Sequence, residues 1–459
     1  MKHRWRDRLE GADDGRLVDG VRRMARPLAS DAGLDPLLER IGDARFVLLG
    51  EATHGTSEFY TWRTRLTRRL VEEKGFAFVA VEGDWPDCYR VNRWVKGRSD
   101  EPHATDVLHA FDRWPTWMWA NREVAELAEW MRDHNRRFPD ERKVGFYGMD
   151  VYSLWDSMRG VVEYLERVDP AAARSARRAY ACFDPYHDDE HEYARATALV
   201  PTSCEDEAVL MLRALRTRAP EYKEDGREAY FDAEQNALVA KNAELYYRTM
   251  IRGGPTSWNV RDHHMVETLE RLVAFHDEAL GAGRTKAIVW EHNTHIGDAR
   301  YTDMRRAGMV NVGQLVREAH GERPDERDGV VLVGFGTHRG SVIAGDEWGE
   351  PMRRMQVPEA REGSWEDLLH RGGDGKDLLL VFDAADDGGI AGLSSPIDHR
   401  AIGVVYDPRR ERWGNYVPTI VPRRYDAFVF VDETRGLDPL HMPARLQHDE
   451  VAETYPTGM

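Results

Sequence analysis

The chain is poor in cysteine, with only 3 in 459 residues. Cys88, Cys182 and Cys204 are too few and too scattered for a disulfide framework or a cysteine-based zinc site, so reduced thiols are expected, although a helical segment could bring Cys182 close to Cys204. No stretch approaches the ~20 apolar residues of a membrane helix, and the opening "MKHRWRDRLEGADD" lacks the apolar centre of a signal peptide, so the expected location is the cytoplasm. No dense Lys/Arg run interleaved with aromatics is present. With 64 Lys+Arg against 81 Asp+Glu, the net charge of -17 disfavours nucleic acid and anionic membranes, leaving a small molecule as the expected partner. Neither "GLSSP" nor "RGSVIAG" supplies a Gly-x-Ser-x-Gly elbow, which argues against a serine nucleophile. No Gly-Lys-Ser/Thr phosphate loop and no Gly-x-Gly-x-x-Gly opening a helix occurs, so nucleotide binding has no support.

What the chain does have is a series of short, continuously apolar runs: "RFVLLGE", "FAFVAVEGD", "KVGFYGMD", "KAIVWEH", "GVVLVGFG", "DLLLVFD", "IGVVYD" and "DAFVFVD". Runs of this kind read as strands buried on both faces, the mark of a parallel sheet covered by helices. Between the first two, Phe59, Trp62, Leu66 and Leu70 follow helical spacing, with Ser57 as a candidate cap and Gly75 as the stop. From about Tyr152 to Ser257 the strand signal gives way to helical patterns such as "FDAEQNALVAKNAELYYRTMI", with a loop at "CFDPYHDDEHEYARA". A helix is predicted over Trp258 to Leu280, and "HRGGDGKD" and "DAADDGG" read as surface loops. The expected fold is α/β: a largely parallel central sheet flanked by helices, with core segments 1–151 and 258–459 and an inserted helical subdomain, 152–257.

In such a sheet ligands bind beyond the carboxyl ends of the strands. The residues there are strongly ionisable: Glu51 and His54, then Glu82 and Asp84, Asp150, then Glu291, His292 and His295, and finally Thr337, His338 and Arg339. Singly, Asp84, Asp150 or His338 would pass as a helix cap or a satisfied loop residue. Jointly, Glu51, His54, Glu82, His292 and His295 point to chemistry, because burying several unpaired ionisable groups is costly. His54 suits a general base acting on water, with Glu51 or Glu82 orienting the ring and His292 and His295 donating to an oxyanion or a leaving alkoxide. The same residue types also ligate zinc or manganese, but His-x-x-His is a weak signal and His-Glu-x-x-His is missing, so neither metal nor cofactor is expected. Trp85, Trp114, Trp117 and Trp119 either pack the core or wall a pocket for a large apolar ligand. Arg261 and Asp262 face the cleft or pair on the surface. We take Asp84, Trp85, Trp117, Trp119, Arg261 and His338 as the substrate-binding candidates. A non-catalytic binder of a large apolar ring is the reading from outside enzymology.

The stretches "LLGEATHGTSEFY", "VAVEGDWPDCYRVNRWV", "PTWMW", "VGFYGMDVYSL", "SWNVRDHHMVETL" and "VWEHNTHIGDAR" together resemble the erythromycin esterase family, with similarity from about Arg45 to Leu440. The resemblance implies a metal-independent carboxylic ester hydrolase that opens a macrolactone, inactivating a macrolide antibiotic, through a histidine that activates water. By motif it assigns His54 as the base with Glu51 beside it, Arg63 as a pocket arginine, and Glu82, His292 and His295 to the catalytic set. It also implies that the helical portion forms one wall of a deep cleft. The residues fix neither the ester nor an oligomeric state.

Overall fold

The computed structural model describes residues 14–186, 190–199, 203–224, 226–251, 254–321, 329–382 and 395–441. Eleven strands are formed among them: β1 (Arg26–Pro27), β2 (Phe46–Leu49), β3 (Phe78–Asp84), β4 (Gly145–Asp150), β5 (Ala287–Trp290), β6 (Val330–Ala344), β7 (Arg353–Val357), β8 (Leu378–Val381), β9 (Ile397–Arg400), β10 (Tyr416–Thr419) and β11 (Ala427–Thr434). The main sheet runs β1-β8-β11-β6-β2-β5-β3-β4, with β7 added to β6. From β11 to β4 every pairing is parallel, whereas β8, β1 and β7 join antiparallel. The fold is thus α/β with a mostly parallel sheet between helical layers, as the apolar runs predict.

Strand residues alternate between two cores. Val47, Leu49, Val79, Val81, Ile288 and Trp290 face the helices Ser57–Lys74 and Arg122–Asn135. Phe46, Leu48, Phe78, Ala80 and Val289 face the other way, onto Met265, Leu269 and Leu272 of the helix Thr256–Leu280. Both sides of each strand are therefore apolar, and the runs read as continuous rather than alternating. The helix Ser57–Lys74 ends at Gly75, whose φ of 70° is the left-handed conformation open to glycine. Its cap position is Thr56, not Ser57; Ser57 is the first helical residue and its hydroxyl donates to Glu123.

Between β4 and the helix Thr256–Leu280 the described residues are mostly helical, from Leu154–Val168 to Arg227–Met250, and these helices share a core of their own around Leu154, Val161, Leu238 and Tyr246. The stretch read as a loop at 182–196 is partly helix, Glu190–Leu199, and "HRGG" of the other expected loop completes the helix Trp365–Gly373. "DAADDGG" lies outside the described residues. The expectation of reduced thiols is overturned for one pair: Cys182 and Cys204 form a disulfide, with Cα atoms 5.9 Å apart. They terminate two helices that pack together, Pro170–Tyr180 and Glu205–Thr217, a proximity that a 22-residue sequence separation cannot reveal. Cys88 is free and buried.

One apolar run is not a strand. Ile402–Asp407 makes only isolated bridges, Ile402 to Thr53 and Val405 to Gly345. Both edges of β2 are already occupied by β5 and β6, so this segment has no free edge to join and instead crosses above the strand ends.

Candidate active site

The strand order reverses around β2 and β5. The chain runs from β2 outward to β3 and β4, and then returns to insert β5 between β2 and β3. A crevice opens at such a switch point. Two glycines steer the chain into it. A Cβ on Gly50 would lie 2.1 Å from Asn293 Oδ1, and one on Gly55 would lie 1.9 Å from the Ile343 backbone oxygen. Only with both positions bare does the segment "GEATHG" thread between the loop after β5 and β6, and that passage is what presents a carboxylate and an imidazole together.

Glu51 and His54 are both buried. Glu51 Oε1 lies 2.9 Å from His54 Nδ1, and Oε2 accepts from Arg63 Nη2 at 2.6 Å. A carboxylate that accepts on both oxygens places the histidine proton on Nδ1 and leaves the Nε2 lone pair free to act as a base. Arg63 is fully buried and does not line the cavity. Its guanidinium lies over the faces of Tyr60 and Trp290, at 4.3 and 4.5 Å, and these rings offset the lack of oxygen acceptors at Nε and Nη1. Arg63 therefore holds Glu51 from behind rather than touching a ligand.

Glu82, at the end of β3, accepts from Arg261 Nη2 on Oε1 and from the His292 backbone N–H on Oε2, both at 2.8 Å. Arg261 also grips Asp150 through Nε at 2.9 Å and Nη2 at 2.7 Å. Burial raises the Glu82 pKa, but His295, His54 and Arg261 overcome this and hold it well below the usual carboxylate range. For His54, burial pulls downward while Glu82 and Glu51 outweigh it, so the net shift is upward. His292 is driven well down by burial and by His54, whose ring centroid is 4.8 Å away, and it is neutral. Its Nδ1 accepts from the Thr294 backbone N–H at 3.3 Å and lies 2.8 Å from the Thr294 hydroxyl, which can also donate to it, an arrangement that suits a proton on the buried Nε2.

These groups share one cavity, which encloses about 1070 Å³ including its open mouth. His54, Glu82, Asp150, Arg261, His292 and His295 line it. Asp84 and Trp119 also line it, the latter donating from Nε1 to the Glu82 backbone oxygen at 3.0 Å. Burial, reinforced by Asp150 and only partly opposed by Arg113, pushes Asp84 up to about 8. Three of the predicted substrate-binding residues stand elsewhere. Trp85 stacks between Tyr89 and Tyr147 and donates to Asp232, Trp117 is buried against Trp114, and His338 stacks on His370 at 3.8 Å. In each case the side chain turns into a core or toward a neighbouring element rather than toward the crevice.

Several lining residues were not in the predicted set, among them Trp258, Trp348, Tyr246, Tyr247 and Met250. The last three come from the helical segment, so it contributes a wall of the cavity. Asp262 holds His295, and a signal for it existed: Trp258, Arg261 and Asp262 occupy i, i+3 and i+4 of one helix and so share a face. Among the described residues no group of three or more His, Cys, Asp or Glu side chains is arranged to hold a metal ion, and no helix is long and apolar enough to cross a membrane.

An open, mostly parallel sheet with ionisable residues gathered in a deep cavity beyond its central strands is the layout of an α/β enzyme. The sequence pattern of the family described as "Erythromycin esterase" matches residues 71–434, and the chain belongs to that family. It is 29% identical over 116 residues to "Erythromycin esterase type II" of Escherichia coli, a match covering 25% of this chain and 26% of that protein. The chain thus spans about a quarter of the length of that relative. Among solved structures it is similar to a succinoglycan biosynthesis protein, with a TM-score of 0.73 at 21% identity, covering 93% of this chain and 99% of the other. It is also similar to a mutant of the erythromycin esterase EreC in its open conformation, with a TM-score of 0.62 at 18% identity over 89% and 95% of the two chains. At these identities the structural likenesses speak to the fold.

Proposed function

We propose that the protein is a carboxylic ester hydrolase that opens a macrolactone by water activated at His54. The observation that carries this reading is the Glu51–His54 pair: the carboxylate fixes the proton on Nδ1, so the Nε2 lone pair is the one available to a water molecule in the cavity. His54 takes a proton as the water oxygen attacks the ester carbonyl, and the neutral His292 donates from Nε2 to the developing oxyanion. When the tetrahedral intermediate collapses, His54 returns the proton to the leaving alkoxide, giving a hydroxyl and a carboxylic acid that loses its proton to solvent as a carboxylate. Arg261 stands between Glu82, Asp150 and His295, the place a cation would take, which favours this route over a metal-held water. The apolar part of the cavity, including Trp114, Trp119, Trp258, Trp348 and Met118, suits a large apolar ring. In this reading segment 152–257 is an inserted unit that walls the cleft, the reaction takes place in the cytoplasm, and its outcome is macrolide inactivation.

The test is mass spectrometry of macrolides of small and large ring size after incubation with wild type and with His54→Ala. A gain of one water (~18 Da) with wild type alone is expected, since removing the base abolishes the activated nucleophile. Macrolides recovered unchanged from wild type would sink the macrolactone assignment.

A further inference from the structure

Arg261 can only donate hydrogen bonds, and this assigns the proton on its histidine neighbour. His295 Nδ1 lies 3.0 and 3.1 Å from the two oxygens of Asp262, and its Nε2 lies 3.1 Å from Arg261 Nη1. A proton on Nε2 would set two N–H groups against each other across that 3.1 Å. The nearest alternative acceptor, Glu82 Oε1, is farther away at 3.5 Å. The imidazole proton therefore sits on Nδ1, donated to Asp262, and Nε2 accepts from the guanidinium. The ring is held flat on Trp258, with centroids 4.5 Å apart and an interplanar angle of 6°. Asp262 is held in turn by the Val312 backbone N–H at 3.0 Å.

Arg261 has five N–H groups. Nε and Nη2 serve Asp150, Nη2 also serves Glu82, and Nη1 serves His295. One N–H on Nη1 is left, on a side chain that lines the same cavity as His54 and His292 and lies over the Tyr152 ring at 4.8 Å.

We propose that Asp262 is a positioning residue: by holding the Nδ1 proton of His295 it makes Nε2 an acceptor that, together with Glu82 and Asp150, aims the last Arg261 N–H at the substrate carbonyl oxygen. The inference rests on the ester-hydrolase reading above and deepens it. His295 then donates nothing to the substrate, in contrast to the role read from the sequence. As water oxygen bonds to the carbonyl carbon, its proton passes to His54 Nε2, and the carbonyl π pair moves onto oxygen, where Arg261 and His292 both donate to it. Collapse reforms the carbonyl, breaks the C–O ester bond and returns the His54 proton to the alkoxide.

The decisive measurement is the imidazole ¹⁵N spectrum of labelled protein, with His295 assigned by its loss in His295→Gln. From the Asp262 and Arg261 contacts a protonated Nδ1 and an unprotonated Nε2 are expected. A protonated Nε2, alone or with Nδ1, overturns the proposal. This readout needs no substrate, so a failure of ester hydrolysis leaves it standing and counts only against the functional reading. Asp262→Asn lets an amide N–H donate to Nδ1, driving the proton to Nε2 against Arg261. The expected result is a reversed tautomer and a kcat lower by on the order of 100-fold, with KM changed less than about 3-fold. His295→Gln, which keeps a donor toward Asp262 and an acceptor toward Arg261, is expected to retain at least about 10-fold more kcat than His295→Ala. Unchanged kcat in Asp262→Asn, or equal rates in the two His295 variants, overturns the proposal. Should Asp262→Asn not fold, the wild-type spectrum and the His295 pair decide.

Discussion

Glu51 and His54 form a buried carboxylate–imidazole pair, Oε1 to Nδ1 at 2.9 Å, within a segment of six residues bounded by two glycines. The pair predicts the first experiment. His54→Ala removes the base, and kcat is expected to fall by about 10² to 10⁴-fold. The fold should survive, because Glu51 keeps its bond to Arg63. Steady-state kinetics with thermal melts checks this, and a folded variant with a near-normal rate ends the assignment of His54.

A second expectation concerns pH. Only the neutral imidazole is a base, and the His54 pKa is raised above its ordinary value of ~6.5 because the charges of Glu82 and Glu51 outweigh burial. The acid limb of kcat/KM should therefore lie above pH ~6.5, with activity falling as pH drops through the folded pKa. Glu82→Gln removes the largest raising charge, so the limb should move to lower pH even though the plateau rate falls. The stability that His54 contributes is full below ~6.5 and is lost as pH rises through its folded pKa. A limb that stays in place in Glu82→Gln would contradict this electrostatic account.

Asp84 titrates far above the range of an ordinary carboxyl. With its pKa pushed up to about 8 by burial, it is a neutral donor in the cavity at neutral pH and becomes an anion above that value. A folded pKa above the unfolded one means that its contribution to stability is present below the unfolded value of ~3.9 and is lost as pH rises through about 8. Asp84→Asn should therefore be more stable than wild type at alkaline pH and should lack that stretch of pH dependence. Chemical denaturation at several pH values checks this, and parallel curves for the two proteins refute it.

Seven of the eight apolar runs are strands because strands buried on both faces leave a one-dimensional signature. The eighth, Ile402–Asp407, is equally apolar but found no free sheet edge, which is a property of the assembled sheet. That Glu51, His54, Glu82, His292 and His295 come together was legible because strand ends converge. Trp85 and Trp117 were misplaced because an apolar ring carries no mark of which side of a strand or helix it packs against. Asp262 was read only as facing the cleft or pairing on the surface, because its partner, His295, is brought to it by the return of β5 between β2 and β3.

The two glycines make distinct predictions. At Gly55 an added Cβ meets the Ile343 backbone, which cannot rotate away, and the Gly55 carbonyl accepts from both Ile343 and Leu437 at 3.0 Å. Gly55→Ala should cost about 1–3 kcal/mol or more. At Gly50 the obstacle is the side chain of Asn293, which bonds Phe335 through Nδ2 at 2.7 Å and Oδ1 at 3.2 Å. Gly50→Ala should displace Asn293 and with it the adjoining His292, so the loss of kcat should exceed what its change in stability explains. Denaturation and kinetics on the two variants separate the cases; a Gly55→Ala protein as stable as wild type would contradict the packing.

The Cys182–Cys204 bond closes a 22-residue loop in the helical segment that supplies Tyr246, Tyr247 and Met250 to the cavity. Cross-linking a loop of this size restricts the unfolded chain and stabilises by about 3 kcal/mol. Cys182→Ala with Cys204→Ala should therefore lower the stability of this segment by about that amount. Because the segment has a core of its own, the loss should appear as an earlier, separate transition rather than a shift of the whole melt. Reductant should reproduce the effect in wild type and leave the double variant unchanged. A wild type insensitive to reductant, with two more titratable thiols in the denatured chain than the double variant shows and no mass change on reduction, would mean that the pair is not bonded in solution.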